Sequence, residues 1–138
     1  MIMANKIRLR IVTPSKMLCD KEAEMVIMRT TSGDTGILPN HQPLTTTLDY
    51  GILRIFNDGK EQAVAAFGGF AQVSPECITI LSDAAEWPEE IDVDRAKHSK
   101  ERAEKRIAST DSSIDILRAE LSLRRALIRI EAYDKYRH

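Results

Sequence analysis

The sequence predicts a fold in two units, an antiparallel β-sandwich followed by an antiparallel two-helix hairpin. From Lys6 to Ser82 short apolar runs recur at strand spacing with turn signals between them. Residues 89–138 contain neither glycine nor proline and are rich in Ala, Glu, Lys, Arg, Leu and Ile, a helical composition. The charge divides at nearly the same place. Residues 1–91 hold 8 basic and 12 acidic side chains and residues 92–138 hold 12 and 9, so the two segments carry −4 and +3. That asymmetry predicts units with different partners, the second suited to an acidic surface or a polyanion. The boundary falls at Trp87-Pro88-Glu89-Glu90, giving predicted domains 1–88 and 89–138.

In chain order, the strand runs are Ile7, Leu9 and Ile11; Met25 to Met28; Ile52 to Phe56; Ala63 to Phe67; and Cys77 to Leu81. Ser32-Gly33-Asp34, Pro39-Asn40, Asn57-Asp58-Gly59, Gly68-Gly69 and Ser74-Pro75 punctuate them, so connections are short and the strands mostly antiparallel. Within the helical region a single break, Ala108 to Ser113, separates two helices, and Ser112 with Asp115 resembles a helix-start capping pair. The first helix offers only Val93, Ala96, Ala103 and Ile107 as apolar positions. The second offers two stripes, Ile114, Leu117, Leu121 and Ile128, and Ile116, Leu123, Leu127 and Ile130. One thin partner helix cannot bury both, so either the sandwich or another protein covers the remainder, or the hairpin alternates between two docking states.

The 138 residues, 43% hydrophobic and 30% charged, are those of a globular protein, and no stretch approaches the ~20 apolar residues that cross a bilayer. The start alternates Lys6, Arg8 and Arg10 with Ile7, Leu9 and Ile11 and lacks the apolar core of a signal peptide, so the chain is expected to be cytoplasmic. Cys19 and Cys77 form no C-x-x-C pair and are expected to be reduced thiols. His41, His98 and His138 lack metal-ligand spacing, and no nucleophile elbow or complete P-loop occurs. Gly68-Gly69 has no following lysine-serine pair and reads as a bulge or close strand crossing. A nucleic-acid adaptor is disfavoured by mixed charges, small net charge and few aromatics.

The stretch Gly33-Asp34-Thr35-Gly36-Ile37-Leu38-Pro39-Asn40-His41-Gln42-Pro43-Leu44 resembles the G-x-x-G-I-L-P-x-H-x-P-L segment of the epsilon subunits of F-type ATP synthases. Gly68-Gly69-Phe70 with Val73, then Ile78-Thr79-Ile80-Leu81 with Asp83 and Ala85-Glu86, resembles that family's G-G-F and V-T-I-L blocks, and Ile91-Asp92 with Arg95-Ala96 resembles its I-D-x-x-R-A signature. The resemblance covers nearly the whole chain. It implies a ten-stranded sandwich binding the gamma subunit and the c-subunit ring, and a regulatory hairpin that folds down or extends towards the alpha and beta subunits of the catalytic head. It further implies a non-catalytic rotor subunit that needs no cofactor, peripheral on the cytoplasmic face of the bacterial cell membrane and touching it only through the ring.

By the same resemblance Asp34 and His41, on a turn-rich loop, match the positions that meet the c ring; read from the residues alone they are a turn carboxylate and a loop histidine. Some bacterial members bind ATP on the folded hairpin, and this chain matches their pattern at Glu86, Ile91, Asp92, Arg95, Ala96, Arg102, Arg125 and Arg129. Arginines from two facing helices can clamp a polyphosphate through charge-assisted hydrogen bonds while Asp92 or Glu86 accepts from adenine or ribose. A lysine of that pattern falls at Ser112 here, which predicts weaker phosphate binding. Read without the resemblance, Asp92 caps the first helix and the arginines form a solvated face or contacts to acidic protein surface.

Overall fold

The structure, a computed structural model, describes residues 5–111 and 113–137. The chain forms two compact units, Met1–Trp87 and Pro88–His138.

The first unit is the predicted sandwich, with ten strands: β1 (Ile7–Val12), β2 (Met17–Ala23), β3 (Met25–Thr30), β4 (Gly33–Ile37), β5 (Leu44–Thr47), β6 (Tyr50–Asn57), β7 (Lys60–Phe67), β8 (Phe70–Val73), β9 (Cys77–Leu81) and β10 (Ala85–Glu86). One sheet runs β2-β1-β9-β8-β5 and the other β10-β7-β6-β3-β4. The pairs are antiparallel apart from β1 with β9, which is parallel. Alternation follows directly: Ile7, Leu9 and Ile11 of β1 and Ile78 and Ile80 of β9 are sealed inside while Arg8 and Arg10 point out. Val26, Met28, Ile37, Ile55, Val64 and Val73 complete a core in which each such side chain contributes about 1.5–3 kcal/mol.

Two corners explain their glycines. Asp58 (φ 52) and Gly59 (φ 75) form the two-residue turn between β6 and β7, both in the left-handed region such hairpins require. Gly68 (φ 79) and Gly69 (φ 101) carry the chain from one sheet to the other between β7 and β8. A Cβ on Gly69 would lie 1.9 Å from the Leu81 carbonyl oxygen, so this is the close strand crossing expected. The Ser82 hydroxyl ties the corner by donating to the carbonyl oxygen of Gly68 or of Ala84, 2.9 and 2.8 Å away.

Asp34, expected on a turn-rich loop, instead lies within strand β4. The turn precedes it at Thr31-Ser32, because Gly33 to Ile37 is paired residue by residue with β3. Cross-strand pairing overrides the weak strand propensity of Gly33, Asp34 and Gly36.

The second unit opens with one turn of 3-10 helix at Pro88–Glu90, followed by α1 (Val93–Ala108) and α2 (Ile116–Tyr136), which pack together as a hairpin. Asp92 caps α1, its carboxylate accepting from the Arg95 amide at 3.1 Å. Ser112, the first member of the expected capping pair, lies outside the described residues. The cap of α2 is Asp115 itself, which accepts from the Arg118 amide at 3.1 Å. Ile114 accordingly sits in the connecting turn, before the helix. There the Asp111 carboxylate takes the Ser113 amide at 2.9 Å and the Asp111 amide donates to the Ser109 hydroxyl at 3.1 Å, which holds the chain out of helix until Asp115.

Alanines seven residues apart line the seam of the hairpin, Ala96 and Ala103 on α1 and Ala119 and Ala126 on α2. Together with Ala132 they are the buried residues of the two helices. Small side chains let the backbones approach closely. The larger residues of the α2 stripes are half-buried or exposed, with Leu117 67% and Leu127 45% accessible.

Candidate functional site

Three surfaces carry the candidate residues. The first is where the two sheets present their edges, since β4 ends one sheet and β5 the other. Residues 38–43 join them. The loop is pinned by the amide of Asn40 (φ 66), which donates to Pro75 O at 2.9 Å, and it leaves Leu38 57% exposed. His41 is half-buried, its Nδ1 2.7 Å from the Gln42 carbonyl oxygen. Asp34 faces its cross-strand neighbour Arg29, whose Nε donates to the Asp34 carboxylate. A polar partner approaching β4 therefore meets an ion pair, which contributes at most about 1 kcal/mol to the fold and can be exchanged for a new contact at little cost.

The second surface escaped sequence reasoning. Met17 is paired with Val12, Val12 with Leu81 and Leu81 with Phe70, so four neighbouring strands line up one apolar row on the outer face of their sheet. Met17, Leu81 and Phe70 are 54%, 42% and 49% exposed. Beside the row lies a charged cluster: Arg8 Nε is 2.6 Å and Arg10 Nε 3.5 Å from Asp20 Oδ1. The available signal was phase. Period-2 alternation that buries Ala71 and Ile80 must turn Phe70 and Leu81 outward, where an apolar residue has no folding role.

The third surface is on the hairpin. Asp92, Arg95 and Arg102 come together in the lining of an open groove of about 770 Å³ on α1, with Asp94, His98, Glu101 and Lys105. Arg125 and Arg129 occupy successive turns of α2 and are not part of that lining. Ile91 and Ala96 are buried. Glu86 is in β10 of the other unit. The matched lysine position, Ser112, lies outside the described residues, as does His138. Two of the arginines share one local device: residues 96–103 and 119–126 both read A-x-x-S-x-x-R-A, and Arg102 and Arg125 each donate Nη2 to the serine three residues earlier, Ser99 at 3.4 Å and Ser122 at 3.2 Å.

Among the described residues no group of three or more His, Cys, Asp and Glu is placed to hold a metal ion. Among the same residues no helix is long and apolar enough to cross a membrane. Cys19 and Cys77 are free, and burial pushes the Cys19 thiol up, away from the reactive thiolate.

Comparison with known proteins adds the family. Residues 6–88 match the ATP synthase, Delta/Epsilon chain, beta-sandwich domain, and residues 89–134 the ATP synthase, Delta/Epsilon chain, long alpha-helix domain. The ATP synthase epsilon chain of Desulfitobacterium hafniense (strain Y51) is 45% identical over 130 residues, covering 94% of this chain and 98% of the relative. That of Alkaliphilus oremlandii is 51% identical over 108 residues, covering 78% and 81%. A chain of the Euglena gracilis mitochondrial ATP synthase structure (OSCP/F1/c-ring) shares the fold with a TM-score of 0.79 at 24% identity, covering 97% of this chain and 82% of that one. With both of its units matched and relatives aligned along most of its length, the chain belongs to the ATP synthase epsilon chain family.

Proposed function

We propose that this chain is a non-catalytic central-stalk subunit of a rotary ATP synthase, whose sandwich fixes the gamma subunit to the c ring and whose hairpin restrains ATP hydrolysis. The observation that carries the reading beyond family membership is the row Met17, Val12, Leu81 and Phe70. Exposed Met17, Leu81 and Phe70, aligned with half-buried Val12 across four strands, form a surface suited to permanent burial against a partner. We assign that row to gamma, and the β4 edge with Asp34 and His41 to the polar loops of the ring. Torque then passes through two protein contacts on different faces of one rigid sandwich. The complex sits at the cytoplasmic face of the cell membrane, and this subunit reaches the membrane only through the ring.

The hairpin is the regulatory element of the same reading. Extended, α2 presents Leu117, Leu127 and its arginines to the alpha and beta subunits and opposes the rotation that accompanies hydrolysis. Folded, it releases that block, and ATP held by Asp92, Arg95, Arg102, Arg125 and Arg129 of the hairpin stabilises this state by mass action. Asp92 keeps acceptor capacity for such a ligand although one oxygen caps α1.

The test is co-purification with the gamma subunit. Phe70→Asp and Leu81→Asp place a charge on an exposed surface, so the isolated chain should melt unchanged while recovery with gamma falls at least about tenfold, the scale of losing a buried contact. Undiminished recovery of both variants excludes this face as the gamma contact.

A further inference from the structure

The groove on α1 contains an imidazole that the nucleotide reading does not use. Resting on that reading, we propose that His98 is a further phosphate-binding residue of the hairpin and makes its hold on a polyphosphate depend on pH. His98 lies three residues after Arg95 and four before Arg102, so the three share one side of the helix, and all line the same groove. At 1.5 Å per residue Arg95 and Arg102 are about 10 Å apart along the axis. A phosphate chain spanning them passes the level of His98.

Charge decides how much the imidazole matters. The lining carries three carboxylates, Asp92, Asp94 and Glu101, against three permanent cations, Arg95, Arg102 and Lys105. The formal charge is zero with a neutral imidazole and +1 with a protonated one. The helix packed against α1 carries Arg118, Glu120, Arg124, Arg125, Arg129, Glu131, Asp134 and Lys135, none of which is in this lining. Histidine is the side chain that changes charge between about pH 5 and 8, whereas carboxylates and guanidinium groups keep theirs there. Protonation thus turns a neutral groove into a cationic one.

The experiment is calorimetric titration of the full chain with ATP at about pH 6 and about pH 8, repeated on His98→Gln and His98→Lys. The nucleotide's own protonation is common to all three proteins and cancels when their pH ratios are compared. The unmodified chain should tighten on acidification about threefold to fivefold more than His98→Gln, the size of one exposed charge pair. His98→Lys should hold ATP tightly at both values. An equal pH ratio in the unmodified chain and His98→Gln overturns the inference and leaves the nucleotide reading standing. Absence of ATP binding by the unmodified chain at both values removes the nucleotide reading and the inference with it.

Discussion

The two units are built on opposite principles. The sandwich buries its largest aliphatic side chains, with Ile7, Leu9, Ile11, Ile78 and Ile80 fully sealed. The hairpin buries alanines and leaves Leu117 and Leu127 in the open. Burial of many methylenes gives the first unit its own stability; close approach of two backbones over alanine removes little apolar surface from water and gives the second much less.

The contrast can be broken most directly by truncating matched aliphatics. Ile80→Ala should cost the sandwich about 3 kcal/mol, because the cavity has no room to collapse between two sheets. Leu127→Ala should stay within about 0.5 kcal/mol in the isolated chain. Urea denaturation followed by near-ultraviolet signals of the sandwich and by helical ellipticity separates the two. Equal losses would mean that the hairpin depends on its large residues after all.

The next effect in size comes from the seam. Ala103→Leu forces the helices apart and should destabilise the hairpin by about 2 kcal/mol while leaving the sandwich transition in place. Limited proteolysis should cut first after the basic residues of α1 and α2. A variant as resistant as the parent would show that the seam tolerates bulk and that alanine is not what sets the helix spacing.

The smallest effect sharpens the comparison through pH. A hydrogen bond from Arg8, helped by the charge of Arg10, holds the Asp20 carboxyl of the sandwich below its ordinary 3.8, and the Ser113 amide does the same for Asp111 in the hairpin turn. A depressed folded value contributes stability that is present above the unfolded value and lost as pH falls through the folded one. Both contributions should therefore disappear on acidification below about 3.8. Added salt should weaken the Asp20 contribution, an exposed ion pair, and spare that of Asp111, which comes from a backbone hydrogen bond. Melting curves of Asp20→Asn and Asp111→Asn at two ionic strengths, across this pH range, check both; equal salt sensitivity would contradict the assigned causes.

Much of the fold was legible in the sequence because period-2 alternation and turn residues report local geometry. The strands containing Ile7, Met25, Ile52, Ala63 and Cys77 are β1, β3, β6, β7 and β9. The other five were not: β5, β8 and β10 are only four, four and two residues long, while Met17–Ala23 of β2 holds Asp20, Lys21 and Glu22 and Gly33–Ile37 of β4 holds two glycines, both edge strands that take their shape from a neighbour. On the hairpin, apolar periodicity singles out leucine and isoleucine and gives Ala119 and Ala126 no weight, although both are buried on the face that packs on α1.

By itself the sequence determined the order of sandwich and hairpin, the turns at Asn57-Asp58-Gly59 and Gly68-Gly69 and a helical region broken between Ala108 and Ser113, because alternation, turn residues and helical composition are local signals. Only the tertiary structure decided which residues meet across strands and helices. Register put Met17, Val12, Leu81 and Phe70 in one row, paired Asp34 with Arg29 and seated alanine at the helix seam. Composition cannot specify register, because a shift of one residue in a strand reverses every side chain while changing nothing in the local sequence.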